Sequence, residues 1–231
     1  MEHIQRILGI WLNPVKTLES FPKQASIQIW LIPMIIILVF ISITTYVSAP
    51  YAKELQLEMV QMKEDIPDDL REDMIDRLST DTVSPLEFVS AIVGATLWYL
   101  IQTLIIFGIS TLALGVNTTF KSLWAMIILI NTTNIIELAV KVPLMISSGN
   151  LLIESGLSLL LPGSLTETFI YNFLYQFDIF SIWRVILIGL GLSIIHESER
   201  NKTFGILFGL WIVFGVIAAL LMDKLGFFLM R

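Results

Sequence analysis

The chain alternates between long apolar runs and shorter polar segments. Five of the apolar runs are long enough to form membrane-spanning helices, because a span needs about 20 apolar residues. They cover residues 27–48, 88–114, 123–146, 177–195 and 204–222. The pattern predicts an all-α membrane protein built as a bundle of five transmembrane helices. The first run is long and no small-residue cleavage site follows it, so we interpret it as a span and not as a signal peptide.

The polar segments divide the chain into four parts. Residues 1–26 are predicted to form a cytoplasmic amphipathic segment, because Ile4, Ile7, Leu8, Trp11 and Leu12 recur at helical spacing. We expect this helix to lie on the membrane surface with its apolar face in the lipid. The first span follows at 27–48, an acidic loop at 49–87, and the other four spans with their loops at 88–231. A Ser84-Pro85-Leu86-Glu87 capping box is predicted to begin the second span.

The loop at 49–87 is predicted to be a short, acidic, helical, extracytoplasmic insert. Apolar residues at helical spacing indicate two amphipathic helices joined at Ile66-Pro67. A docking surface for a cationic partner is one interpretation. The other is a solvated helical pair that covers the ends of the spans, and we favour it because charge runs are usually solvated faces. The candidate docking residues are Glu58, Glu64, Asp65, Asp68, Asp69, Glu72, Asp73 and Asp76.

Composition agrees with a membrane protein and excludes several other classes. Hydrophobic residues make up 55% of the chain and charged residues 15%, whereas soluble domains are about 25% charged. The net charge of −6 argues against nucleic acid as a partner. The 49–87 loop alone carries −7, so the rest of the chain is nearly neutral. There is no cysteine, which excludes disulfides and thiol chemistry.

The third span carries the most informative polar residues. Asn131, Asn134, Glu137 and Lys141 fall within an arc of about 120° on a helix. Glu137 and Lys141 also have the i, i+4 spacing that suits an ion pair. Charges inside a bilayer are costly, so this face should turn toward the bundle interior. One interpretation of this polar face is a pathway for protons or ions. The other, which we favour, is a set of polar contacts between helices.

Two further sets of residues are predicted to lie at contacts between the helices of the bundle. Arg184 in the fourth span needs a carboxylate from another helix, and Glu137 is the one we expect. Small residues spaced four apart allow close helix packing, as at Gly205 and Gly209 and again at Gly215 and Ala219 in the fifth span. Gly189 and Gly191 in the fourth span are the expected neighbours of this small-residue face.

Known catalytic motifs are missing from the sequence. It contains no glycine-rich phosphate loop, no G-x-S-x-G turn and no H-E-x-x-H zinc motif. The two histidines, His3 and His196, lie near opposite ends of the chain. We therefore expect no enzymatic activity, no catalytic residues, no metal site and no cofactor.

Lysine and arginine counts by themselves leave the orientation open. With five spans, each side of the membrane receives six of these residues. When the four in the 49–87 loop are set aside, six remain on the side of the N-terminus and two on the side of the C-terminus. This favours a cytoplasmic N-terminus and an extracytoplasmic C-terminus.

Several stretches resemble the bacterial branch of the YIP1 family. They are the segment 11–17 (WLNPVKT), Phe21-Pro22 before the first span, and 177–184 (FDIFSIWR) followed by 186–192 (ILIGLGL). The resemblance extends over nearly the whole chain. It implies a five-span protein of the bacterial cell membrane with a cytoplasmic N-terminus, and some bacterial relatives work beside ABC-type exporters as accessory subunits.

Two functional hypotheses follow. The first is a non-enzymatic membrane scaffold or accessory subunit, whose partners are the lipid bilayer and other membrane proteins, such as an ABC permease or a second copy of the chain. The second is a small ion or solute transporter or channel that uses the polar face of the third span. No inverted repeat is evident in the sequence, which weighs against the second.

Overall fold

The computed structural model describes residues 2–22, 25–62, 67–78, 83–149, 153, 155–162 and 168–229. For Met59, Met62, Arg77 and residues 222–229, only the backbone is described. Within these ranges the chain is helical, and its only β-type pairing is an isolated bridge between Gly156 and Asp178.

Ten α-helices follow one another along the described chain. They are α1 (Glu2–Leu12), α2 (Pro14–Glu19), α3 (Ile27–Met62), α4 (Asp68–Leu78), α5 (Pro85–Gly108), α6 (Phe120–Asn131), α7 (Thr133–Ser148), α8 (Phe169–Tyr175), α9 (Ile179–Ile195) and α10 (Arg200–Leu229). A short π-helical turn, Ile109–Ala113, continues α5, and a 3-10 turn, Leu157–Leu160, precedes α8. The Ser84 capping box predicted at the start of α5 is present.

Four segments are long and apolar enough to cross a membrane, as judged by length and composition. They are Ile27–Glu58, Pro85–Ala113, Phe120–Ser148 and Arg200–Leu221. The predicted fourth span corresponds to α9, which has 17 residues and is therefore about 26 Å long. It lies at the short end of what a bilayer of about 30 Å requires. The all-helical membrane fold is thus as predicted, with four such helices and this shorter fifth one.

The segment formed by α6 and α7 is the centre of the bundle. About 61% of its apolar stretch is buried, against 17–22% for the other three long segments. Every residue of α6 from Ala125 to Asn131 is buried, because α3, α5 and α9 pack around it. This burial by protein sets α6 apart from the other long apolar helices, most of whose surface is left to face lipid.

The third predicted span is interrupted between α6 and α7 at Thr132. The Thr132 hydroxyl donates to the carbonyl of Leu129 (2.6 Å), and the Thr133 hydroxyl donates to that of Ile130 (2.8 Å). The backbone N–H of Thr132 also bonds to Leu129, one residue closer than in a regular α-helix. Hydroxyl groups that bond back to the preceding turn bend helices. The span predicted at 123–146 is present as one candidate membrane span, Phe120–Ser148, with this break inside it.

The first span and the insert differ from the prediction in their helix boundaries. α3 continues for 36 residues to Met62, through Pro33 and Pro50, so the first of the two predicted insert helices is an extension of the span. The second is α4, which packs against α3. Residues 63–66, which include Ile66 of the predicted joint, lie outside the described residues.

The N-terminal helix was predicted to lie with its whole apolar face in lipid. In the structure, part of that face packs against the rest of the protein. α1 and α2 form a hairpin that contacts α3, α6 and α9, and Ile7, Ile10 and Leu18 are buried in the main core. Ile4 and Leu8 remain exposed. The amphipathic spacing correctly predicted a helix, but spacing does not distinguish a face that contacts lipid from a face that contacts protein.

The hairpin is held by residues of the 11–17 segment. The Asn13 side chain caps α2, Pro14 occupies its first turn, and the Thr17 hydroxyl donates to the carbonyl of Asn13 at 3.0 Å. A Cβ atom at Gly9 would overlap the Thr17 hydroxyl, so only glycine permits this approach. The Trp11 indole N–H then donates to the Thr132 hydroxyl at 3.0 Å, which joins the hairpin to the break between α6 and α7.

Candidate functional site: an intramembrane polar network beside a cavity

Glu137 on α7 accepts hydrogen bonds from two cations. Its Oε1 receives the Lys141 ammonium at 2.5 Å, and its Oε2 receives the Arg184 guanidinium from α9, also at 2.5 Å. Lys141 lies one turn along α7 and 5.9 Å from the centroid of the Phe180 ring. Arg184 thus has the carboxylate partner expected from the sequence, and the ion pair joins α7 to α9.

Asn134 extends this network to α5. Its Oδ1 accepts from Arg184 at 2.5 Å, while its Nδ2 donates to the Tyr99 hydroxyl at 3.0 Å. One turn away, the Asn131 amide donates to Gln102 Oε1 at 2.8 Å and to the carbonyl of Ile127. Polar groups of four helices, α5, α6, α7 and α9, therefore satisfy one another inside the bundle.

Ser181 connects Arg184 to the start of α9. The Asp178 carboxylate caps this helix by accepting from the backbone N–H groups of Phe180 and Ser181 at 2.8 and 2.9 Å. The Ser181 hydroxyl donates to the other Asp178 oxygen at 2.7 Å and accepts from Arg184 Nη2 at 3.3 Å. Asp178 and Arg184 are six residues apart, a spacing that places them on different faces of the helix, and Ser181 bridges them.

The network keeps its charges mostly shielded. The Glu137 side chain is 16% exposed and that of Arg184 is 18% exposed. The two cations, Lys141 and Arg184, are balanced by the carboxylate of Glu137 and by that of Asp178, which Ser181 links to Arg184. Buried charges are tolerated when they are paired and hydrogen-bonded, which describes this arrangement.

A cavity of about 580 Å³ lies between α5, α9 and α10, and the polar network forms part of its wall. This volume is within the usual range for small-molecule sites, about 300–1,000 Å³. Six of its lining residues are polar: Gln102, Asn131, Asn134, Gln176, Ser181 and Arg184. The others are apolar or aromatic.

Most of the predicted intramembrane residues are brought together, and others were missed. Asn134, Glu137, Lys141 and Arg184 are joined in the network, and Asn131 forms a neighbouring pair with Gln102. Tyr99, Gln102 and Ser181 were not predicted. The signal for Tyr99 and Gln102 was present, since two polar side chains three residues apart in an apolar span share a helix face.

The small residues do not form the single packing face expected from the sequence. A Cβ atom at Gly189 would overlap the Phe204 ring, and one at Gly191 would overlap Met126. Gly215 lies against Phe177, and Ala219 is buried. Gly205 and Gly209, in contrast, face open space. The two pairs on α10 are turned about 80° from each other, because each residue advances 100° around a helix.

The acidic candidates occupy an exposed part of the molecule. Glu58 lies on the extension of α3, and five others lie on α4, all exposed: Asp68, Asp69, Glu72, Asp73 and Asp76. Asp68 pairs with Arg71 at 3.1 Å. Glu64 and Asp65 lie outside the described residues. Within the described ranges, no three His, Cys, Asp or Glu side chains are grouped closely enough to hold a metal ion.

The helix lengths, the apolar exterior and the buried ionic network define the class of the protein, an all-helical integral membrane protein. The Yip1 domain model matches residues 8–221. The chain therefore belongs to the Yip1 family. No curated protein and no solved structure matches it.

Proposed function

We propose that the protein is a non-enzymatic scaffold or accessory subunit of a membrane protein complex, with the permease of an ABC-type exporter as its partner. The observation that carries this proposal is the division of its surfaces. The charged groups in the bundle form ion pairs with one another, whereas long apolar faces of α3, α5 and α10 are exposed. Such faces contact lipid or the helices of another protein.

The Gly205 and Gly209 face of α10 supports docking of another helix. Both glycines face open space, so they leave a shallow groove where a second backbone can approach closely. Association through this face requires no rearrangement of the bundle. A second copy of the chain could use the same groove, which would give a homo-oligomer.

Replacing both Gly205 and Gly209 by leucine is expected to abolish co-purification of the partner without unfolding the protein. Leucine fills the groove, but at an open position it should change stability by less than about 0.5 kcal/mol. The measurement is purification in mild detergent, with permease subunits identified by mass spectrometry and self-association by crosslinking.

Gly189→Leu is the matched control, because the leucine side chain would overlap the Phe204 ring inside the bundle. It should destabilise the protein by about 1–3 kcal/mol and lower the yield of folded protein. A wild-type protein that is strictly monomeric and free of partners, or a Gly205/Gly209 double variant that retains its partner, would refute the scaffold proposal.

The proposal includes a location in the bacterial cytoplasmic membrane with five spans, a cytoplasmic N-terminus and an extracytoplasmic C-terminus. The exposed α4 would then be extracytoplasmic and the loop between α5 and α6 cytoplasmic. The chain has no native cysteine, so single cysteines placed at the exposed positions Asn117 and Asp69 can report this. Labelling of both from the same side would contradict the orientation.

A small ion or solute transporter is the second candidate, because the polar network forms part of the cavity wall. In reconstituted liposomes, this function would appear as proton or ion flux in the wild-type protein. Flux should fall to background in Glu137→Gln, which loses the charge shared by Lys141 and Arg184, and persist in the control Lys121→Gln at an exposed site. Absence of flux in the wild type would exclude this candidate.

A further inference from the structure

The cavity between α5, α9 and α10 is polar at one end and apolar at the other. Arg184, Ser181 and Gln176 lie near the start of α9, at one end. Ile109, Ile188 and Leu207 line the other end. Ile109 lies seven residues beyond Gln102 along α5 and the turn that continues it, which corresponds to about 10 Å. The cavity therefore has the shape and polarity of a site for an amphiphile.

The cavity also borders the exterior of the bundle. Ile101 and Ile105 on α5, together with Leu210 on α10, line it and are at the same time exposed. Within the described residues, α5 and α10 do not pack closely together. Trp98 and Phe214 meet across the gap, with ring centroids 6.4 Å apart. A molecule dissolved in the bilayer can thus enter sideways, between α5 and α10, without passing through water.

The polar end favours an anionic headgroup. A guanidinium has five N–H donors, and the hydrogen bonds of the described residues use three of them, to Asn134, Glu137 and Ser181. One Nη2 hydrogen and the Nε hydrogen are left for a ligand. Among the described residues that line the cavity, Arg184 is the one that carries a charge, so the cavity presents a cation to whatever occupies it. Arginine binds phosphate oxygens particularly well, through paired donors.

From this geometry we infer that the cavity binds an anionic membrane phospholipid, with the phosphate at Arg184 and one acyl chain directed toward Ile109 and Leu207. The aromatic side chains of Trp98, Trp211 and Phe214 lie at the level of the head, since Trp211 contacts Phe177 beside the start of α9 and Trp98 contacts Phe214. The Asn131 and Asn134 amides lie beside the head. The Arg184–Glu137 pair has a second role here, since it holds the guanidinium in the orientation that the phosphate requires.

The test uses the full-length protein in nanodiscs with equal amounts of phosphatidylglycerol and phosphatidylethanolamine carrying identical acyl chains. Native mass spectrometry of the released protein should show one retained phosphatidylglycerol, enriched about tenfold over phosphatidylethanolamine, because the ammonium of phosphatidylethanolamine competes with Arg184 for the phosphate and repels the guanidinium. Equal retention of both lipids would overturn the inference. This comparison needs no variant and does not depend on any protein partner.

Two tryptophan variants on α10 test the position of the lipid. Leu210→Trp fills the cavity and should remove the retained phosphatidylglycerol, whereas Val213→Trp, at an exposed site of the same helix outside the cavity lining, should retain it. Thermal unfolding checks that both are folded. If Leu210→Trp proves unstable, Ile101→Trp fills the cavity from the opposite wall. Retention of the lipid by a folded cavity-filling variant, or equal loss in Val213→Trp, would refute the site.

Discussion

Alanine at Arg184 or at Glu137 is expected to destabilise the protein by about 3–5 kcal/mol, the usual cost of breaking a buried ion pair. Removal of Arg184 leaves the Glu137 carboxylate with Lys141 alone and takes a donor from Asn134. Removal of Glu137 leaves two cations without their shared carboxylate. Both changes also remove the ion pair that joins α7 to α9. The measurement is the free energy of unfolding in mixed micelles titrated with denaturing detergent.

The double variant Arg184→Ala/Glu137→Ala should be more stable than the sum of the two single effects predicts, by about 1–3 kcal/mol. The reason is that the second substitution removes a charge that has already lost its partner. Lys121→Ala is the control, because Lys121 is an exposed cation whose replacement should change stability little. Simple additivity of the two single effects would show that the Arg184–Glu137 contact contributes nothing to stability.

The second large effect is expected at Trp11. Trp11→Ala should cost about 3–5 kcal/mol, as is typical for a large aromatic side chain in a core, since its ring packs against both hydrophobic clusters of the bundle. Trp11→Phe keeps most of this packing and removes only the hydrogen bond to Thr132, so its cost should be about 0.5–1.5 kcal/mol. Thermal unfolding of the purified variants gives both values.

A graded loss in the order wild type, Trp11→Phe, Trp11→Ala supports a hairpin docked inside the bundle. The exposed Leu12 on the same helix provides the control, and Leu12→Ala should leave stability almost unchanged. Equal effects of Trp11→Ala and Leu12→Ala would instead indicate a helix that merely rests on the membrane surface.

Much of the candidate site could be predicted from the sequence, because the bilayer makes polar residues conspicuous. Asn134, Glu137 and Arg184 each stand in an apolar run, and such residues must find partners inside the bundle. Ser181 was harder to recognise, since serine is common in membrane helices without any partner role. The cavity could not be predicted at all. It results from the distance between α5 and α10, to which no local sequence pattern corresponds.

The N-terminal hairpin and the first span show the same limit. Amphipathic spacing correctly predicted a helix around Ile7 and Ile10, but a buried protein face and a lipid face have the same apolar composition. The span beginning at Ile27 was predicted to end at Ser48 because the residues become polar there. Helical hydrogen bonding continues to Met62, since backbone bonds within a helix do not depend on whether the side chains lie in lipid or water.

The sequence by itself determined that the protein lies in a lipid bilayer, that it is helical and which residues must be paired. This is because the free energy of transferring apolar and charged groups between water and lipid depends on composition and periodicity alone. Only the tertiary structure decided that α6 is the central helix, that Trp11 reaches Thr132 and that Gly205 and Gly209 face outward. Each of these depends on how a helix is rotated about its axis and which helix lies beside it. Many alternative packings bury similar apolar area, so the choice among them depends on specific contacts between residues far apart in the chain.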